Sequence, residues 1–453
     1  MDLVNANIPT INGEAIDPEV PCRICGVSFN IGRYRTEQEP SGEGLPADPY
    51  ECPDKGGCYF VKGDLPPNEQ IKYSPSEVRE SEMIERMLDN DHFEHVAGPT
   101  CRQIDGYNGH RISAEEMKGC KTFQCLMYKS QDWQQQSDDQ DFEVKGNYFL
   151  TGLGDEMNSR NTNWPYVFPA RHGTTSLQVE YNDENVINAD QYGMPFHPTC
   201  LEIFKRASLH RYGVVDMKAL TLWWTREHSH SLAYYRFPRE QAVKAALKEG
   251  WWHHEPGNEY LAANPCFIPG FQSLLQSCQG LNSSGPEVTI STAISTEEMN
   301  SNPFSKLSTE ILHHVLLYLD FKDLASLRLT SRLFLQVPNF ILYHLTVRHT
   351  PWIYEAWSSL PLSFWATTTE EELEQEWEST SNFERVSHPA MPVNQLDRVG
   401  TNWLYLHAEL YRNRDKLRGL RNRRRIWKDC EEILNRVDKL RASGKTEEKR
   451  YTE

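Results

Sequence analysis

Residues 304–337, FSKLSTEILHHVLLYLDFKDLASLRLTSRLFLQV, carry the densest apolar periodicity in the chain. Within TEILHHVLLYLD, Ile311, Val315 and Leu319 recur every four residues, and Leu312, Leu316 and Leu319 form an adjoining stripe, so the spacing predicts a helix with a wide apolar face. Ser308 or Thr309 can cap its start. Asp320 and Asp323 punctuate a break before DLASLRLTSRLF, where Leu324, Leu327 and Phe334 continue the apolar set. Pro338 then opens a third short helix, NFILYHLTV. Three short helices cannot bury this much leucine among themselves, so a partner surface is expected.

Working outward, residues 279–302, QGLNSSGPEVTISTAISTEEMNSN, are poor in large aromatics and rich in Ser, Thr, Asn and Gly, and read as a linker. The organisation expected is a loose tail over 1–20, an irregular cysteine-containing α+β domain over 21–278 with a polar loop at 130–141, the linker, a three-helix segment over 303–347, and a Trp-rich and mainly helical region over 348–453. At 453 residues the chain is long enough for more than one core. Its formal charge of -17 disfavours nucleic acid as the main partner, because phosphate binding needs many cationic contacts. No run of about 18 apolar residues predicts a membrane span. The start MDLVNANIPTINGEAID lacks the basic and apolar blocks of a secretory signal, so a cytoplasmic or nuclear location, or both, is expected.

The 304–337 stretch resembles an F-box. That pattern runs Leu-Pro, Glu-Ile-Leu, a leucine stripe, Asp-Leu, Leu, then Ser-Arg and Phe. Leu307, Glu310, Ile311, Leu312, Leu319, Asp323, Leu324, Leu327, Ser331, Arg332 and Phe334 fit it, with Ser308 where the family usually has Pro. The resemblance implies a non-catalytic, substrate-recruiting subunit of a cullin-RING (SCF-type) ubiquitin ligase. It would bind a Skp-family adaptor, and through it a cullin scaffold, using Leu307, Ile311, Leu312, Val315, Leu316, Leu319, Leu324, Leu327 and Phe334, while the other domains choose an unknown protein substrate. The wider chain resembles a fungal group of F-box proteins with a cysteine-rich N-terminal region, through CRICGVSFNIGRYRT, GYNGHRISAEEMKGC, PFHPTCLEIFKRAS, FWATTTEEEL and RNRRRIWKDCEEIL.

Eleven cysteines without an export signal point to reduced thiols and a metal rather than to a disulfide framework. Cys22-Arg-Ile-Cys25-Gly26 has the spacing of a zinc knuckle, and His197-Pro-Thr-Cys200 offers two more ligands from the first turn of a helix. Cys22, Cys25, His197 and Cys200 would make a closed structural zinc site; the other reading is two unrelated buried pairs. Cys52, Cys58, Cys101, Cys120 and Cys125, with His95 or His110, either supply a second site or act as small apolar residues. In GYNGHRISAEEMKG, Ser113 and Glu116 form a capping box, and His110 reads as a residue that orders the loop rather than a catalyst.

No GxSxG, P-loop, HExxH or dinucleotide fingerprint occurs, so no enzyme chemistry is expected. Trp251, Trp252, Trp352, Trp357 and Trp365 are core or the wall of a target groove. The basic run RNRDKLRGLRNRRRIWK, residues 412–428, is read as an amphipathic helix with its arginines outward, pairing with the acidic remainder of the protein. Its sharper alternative is a zinc-stabilised nuclear regulator that meets nucleic acid through this helix.

Overall fold

The computed structural model describes residues 10–11, 14–15, 19–40, 52, 56–62, 70–80, 93–135, 139–155, 157, 193–228, 237–248, 251–280, 303–334, 337–379 and 390–448. Most of the expected tail, nearly all of the 279–302 linker and the NSRNTNWPYVFPARHG loop lie outside the described residues. In chain order, the strands that matter are β1 (Arg33–Tyr34), β2 (Tyr59–Lys62), β3 (Phe93–Val96), β4 (Tyr107–Asn108), β5 (Phe123–Tyr128), β6 (Tyr148–Gly154) and β7 (Gly193–Phe196). The helices are α1 (Pro198–Tyr212), α2 (Met217–Trp223), α3 (Phe271–Ser277), α4 (Thr309–Tyr318), α5 (Phe321–Thr330), α6 (Asn339–His349), α7 (Glu370–Ser379), α8 (Trp403–Arg412) and α9 (Arg418–Ala442). The fold class is α+β. The chain forms two compact units: residues 1–268, 363–389 and 418–453 make the first, and 269–362 with 390–417 the second.

In the first unit, β5 is the centre of a three-stranded antiparallel sheet of order β6-β5-β7, with Leu126 opposite both Leu150 and Met194. Phe123, Gln124, Cys125, Leu126 and Met127 are all buried, so both faces of β5 are covered and its sequence shows no alternation. Helix α1 is enclosed from Pro198 to Ser208. Burial of the Glu202 carboxylate inside it is offset by Lys205 at 3.0 Å and Arg206 at 2.8 Å, which hold it below the usual range. Gly213, left-handed, ends the helix.

The expected C-terminal region does not form one body. Its last helix, α9, has Ile426, Cys430, Ile433, Leu434, Val437 and Leu440 buried at spacings of three and four, and packs that stripe on α1 and α2 in the first unit. Ion pairs Arg211–Asp438 (2.5 Å) and Arg441–Asp216 (2.6 Å) flank the seam. The arginine assignment is corrected here as well. Arg423 and Arg425 are buried: Arg423 donates to the Pro265 carbonyl at 2.6 Å and Arg425 to that of Cys25 at 2.7 Å. Arg421 and Arg424 do face outward, and Arg421 lies over the Tyr260 ring. Sequence periodicity placed all the arginines outside because it cannot see carbonyl acceptors waiting in the core.

The second unit is built on the short helices that the leucine spacing predicts. Asp320 caps α5, its side chain accepting from the Asp323 N–H at 2.7 Å. Leu312, Leu316, Leu324, Leu333, Phe334, Ile341, Leu342 and Leu345 are its buried apolar set among α4–α6. Helix α8 closes over α6: fully buried Trp403 meets the Tyr343 ring at 5.3 Å, and Asn339 Nδ2 donates to the Thr401 carbonyl at 2.8 Å. Helix α3, which the linker was expected to follow, belongs to this unit, with the Asn402 N–H donating to the Cys278 carbonyl at 2.9 Å.

His407 of α8 stacks on Phe321 at 3.9 Å and its Nε2 meets Thr346 Oγ1 at 2.9 Å. Burial pushes its pKa down to about 4. A depressed histidine stabilises the fold above its unfolded pKa, near 6.5, and that stability is lost as pH falls toward 4. Hydrogen exchange of α6 and α8 is expected to show a loss of roughly 3 kcal/mol across this window, flattened in His407→Leu. An equally steep loss in the variant would assign the effect elsewhere.

Candidate adaptor surface and candidate metal centre

Helix α4 has two apolar faces. Leu312 and Leu316, four apart, are buried, and Leu319 beyond the helix end is half-buried. Ile311, Val315 and Tyr318, at i, i+4 and i+7, share the other face. There Ile311 is 50% exposed and Tyr318 78%, with Val315 half-buried. Leu307 and Phe340 are also exposed, and Phe340 meets His313 at 5.1 Å. Of the residues proposed from the sequence to touch a partner, Leu312, Leu316, Leu324 and Phe334 are therefore core, Val315, Leu319 and Leu327 are half-buried, and Leu307 and Ile311 reach the surface. Tyr318, Leu329 and Phe340 are exposed apolar residues that the leucine pattern did not single out. For Tyr318, the i+7 relation to Ile311 was the available signal.

Cys22, Cys25, His197 and Cys200 meet in the first unit, all four buried, with their ligand atoms within 4.8 Å of one another. The Cys22–Gly26 turn is held by the Gly26 N–H donating to the Cys22 carbonyl (2.8 Å) and the Cys22 N–H to that of Val27 (2.9 Å). Gly26 has φ 76°, and a Cβ there would meet Arg239 Nε at 2.9 Å. β7 delivers His197 to the N-cap of α1, so His197 and Cys200 face the knuckle from the first helical turn. Because left-handed backbone and a tight contact coincide, Gly26→Ala is expected to cost about 2 kcal/mol and to lower the thermal midpoint measured by circular dichroism. An unchanged midpoint would show that the turn tolerates a side chain.

His197 Nδ1 lies 3.6 Å from Cys25 Sγ and 3.8 Å from Cys200 Sγ. A tetrahedral ion at about 2.3 Å from sulfur and about 2.0 Å from nitrogen sets ligand separations of roughly 3.5 to 3.8 Å. The other ring nitrogen, Nε2, donates to the Cys120 carbonyl at 2.9 Å, which leaves the Nδ1 lone pair free to face the sulfurs. Backbone N–H groups of Cys25 and His197 point at Cys22 Sγ, each at 3.4 Å, and that of Val27 at Cys25 Sγ, 3.5 Å. Burial opposes ionisation of Cys25, yet hydrogen bonds with Cys200 and Cys22 and the His197 charge hold it well below an ordinary thiol. Burial would also lower His197, but the Cys22 and Cys25 charges push it up to about 10. This buried donor set can hold a metal ion.

Two buried arginines grip the knuckle from behind. Arg239 donates to the Arg23 carbonyl at 2.7 Å and to that of Ile24, and Arg425 donates to that of Cys25 at 2.7 Å. Asp429 bridges them, 3.1 Å from Arg239 and 3.3 Å from Arg425. Burial raises the Asp429 carboxyl to about 6 against the pull of both arginines, so it is ionised at neutral pH. A divalent ion with three thiolates carries one net negative charge, and two guanidiniums against one carboxylate carry one net positive charge, so the layers neutralise each other.

The remaining expectations resolve locally. The Ser113–Glu116 capping box forms, and His110 Nε2 is 3.1 Å from the Ala97 carbonyl, ordering its loop. Trp252 is buried, and the five tryptophans are divided between the two units. Among the described residues no helix is long and apolar enough to cross a membrane.

Comparison with known proteins adds three findings. A 57-residue stretch is 44% identical to the ATP-dependent RNA helicase mss116, mitochondrial, of Aspergillus oryzae, covering 12% of this chain. The chain thus spans 9% of the length of that curated relative, a match too short to carry its activity across. No solved structure matches the chain. The F-box domain profile matches residues 304–340, so the helices α4 and α5 and the start of α6 constitute an F-box domain.

Proposed function

We propose that this protein is a substrate-recruiting subunit of an SCF-type ubiquitin ligase, docking a Skp-family adaptor through the F-box and presenting a target with the first unit. The observation that carries this reading is the second apolar face of α4, where Ile311, Val315 and Tyr318 stand exposed or half-exposed beside a core already completed by Leu312 and Leu316. A helix that keeps such a face exposed is suited to helix-in-groove recognition. The role is non-catalytic, and the cullin is reached through the adaptor.

In the first unit, Cys22, Cys25, His197 and Cys200 hold a structural zinc. Three thiolates and an imidazole suit zinc rather than magnesium or calcium, and four protein ligands leave no open position for a reacting water. The ion ties the knuckle to α1. The burial of Arg423 and Arg425 supports this reading over a nucleic-acid role for the C-terminal helix, because two of its cations are already spent inside the protein.

Affinity purification of the full chain from cells, followed by mass spectrometry, is expected to recover a Skp-family protein and a cullin together. Recovery of neither, with the bait folded and abundant, would sink the proposal.

A further inference from the structure

The first unit contains a second set of soft ligands, in a different part of the chain. β2 and β3 form an antiparallel ladder with Phe60 opposite His95, and β2 is preceded by Cys52 and Cys58. Cys101 lies in the turn after β3, its N–H donating to the Gly98 carbonyl at 3.1 Å. The exposures of Cys52, Cys58, His95 and Cys101 are 1%, 6%, 0% and 2%, and their ligand atoms lie within 4.8 Å of one another. His95 Nε2 is 3.3 Å from Cys52 Sγ and 3.9 Å from Cys101 Sγ, bracketing the edge of about 3.5 Å that a tetrahedral zinc sets between nitrogen and sulfur.

Two features separate this set from buried thiols that merely fill space. First, N–H groups are aimed at the sulfurs: that of Gly98 donates to Cys58 Sγ at 3.3 Å, and the Gln103 amide donates to Cys52 Sγ at 3.4 Å. Sulfur accepts such bonds more strongly as thiolate, the form in which it ligates a metal. Second, the loops are brought together more tightly than a side chain would allow, since a Cβ on Gly98 would sit 1.9 Å from the Gly56 carbonyl oxygen. Around the four residues the walls are apolar or aromatic, with Tyr34 and Phe60 packing on His95 at 4.6 and 5.1 Å.

We propose that Cys52, Cys58, His95 and Cys101 bind a second structural zinc, independent of the first set and of the adaptor function. The two half-sites share one spacing, Cys-x5-Cys and His-x5-Cys, one from the segment entering β2 and one from the end of β3 and the turn after it. The ion would staple the start of β2 to the end of β3, closing one end of the ladder. With four protein ligands it has no position for substrate.

The test is metal stoichiometry in the full-length protein grown with zinc. Elemental analysis should find two zinc ions per chain, about one in Cys58→Ser, about one in Cys25→Ser, and none in the double variant. One zinc in the parent, lost in Cys25→Ser and kept in Cys58→Ser, overturns the proposal. Should Cys58→Ser not fold, cobalt titration of the metal-stripped parent decides. Two equivalents should bind, both with thiolate-to-cobalt charge-transfer absorption, and a single equivalent with that band overturns the second site. His95→Cys should keep both equivalents and alter the spectrum of one. Capture of a Skp-family adaptor is a separate readout, so failure here leaves the F-box reading untouched and failure there leaves this one.

Discussion

Cys25→Ser and Cys200→Ser should each lose about one equivalent of zinc and turn the first unit from protease-resistant to protease-sensitive. The expected effect is large because the two halves of the site are 172 residues apart and a bound ion would join them. Apparent zinc binding in such sites is on the order of 10 kcal/mol or more and is folding free energy. A whole domain is stable by only about 5 to 15 kcal/mol, so removing one ligand frees the knuckle from α1 enough for a protease to cut, while the separate set at β2 and β3 keeps its own ion. The buried arginine pair adds to the cost, since an emptied pocket leaves Arg425 facing fewer negative charges. Both variants staying as metal-rich and as resistant as the parent would mean that the site does not exist.

Ile311→Asp combined with Tyr318→Asp should weaken capture of a Skp-family adaptor by roughly 100-fold or more while leaving the second unit folded. Both side chains are at least half exposed, at 50% and 78%, so the free protein accommodates the charges in water. A complex that buries two unpaired carboxylates against apolar surface loses several kcal/mol. Leu312→Asp tests something else: this residue is 6% exposed, and a charge there should unfold the unit before any partner is involved. Undiminished capture by the folded double variant would remove α4 from the interface.

The F-box helices were legible because their apolar residues sit at helical spacing and because Asp320 is an N-cap that needs no tertiary context. What the spacing did not separate was core from partner surface. Two stripes on one helix, Leu312–Leu316 and Ile311–Val315–Tyr318, look alike until the packing of α6 decides which is covered. The Cys22, Cys25, His197 and Cys200 set was legible from ligand chemistry alone, since a knuckle and a helix-starting His-x-x-Cys complement each other whatever the distance between them. The second set was less so. Cys52-x5-Cys58 departs from knuckle spacing, and its match to His95-x5-Cys101 becomes informative only once β2 pairs with β3. Cys120 and Cys125, weighed for the same role, lie elsewhere: Cys120 offers its carbonyl to His197, and Cys125 is buried in β5 with its thiol pushed up by burial. The path of the C-terminal region was hidden for a related reason. An amphipathic helix announces that it needs a partner face but not which one, and α9 finds its partner in α1 and α2, more than 200 residues earlier.

The most direct test of the central claim mixes the purified full-length chain with a purified Skp-family adaptor and measures mass by size-exclusion chromatography with light scattering. The account predicts co-elution as a one-to-one complex at micromolar concentration, lost when Ile311 and Tyr318 are replaced by Asp. Separate elution of the two folded proteins at that concentration would contradict it.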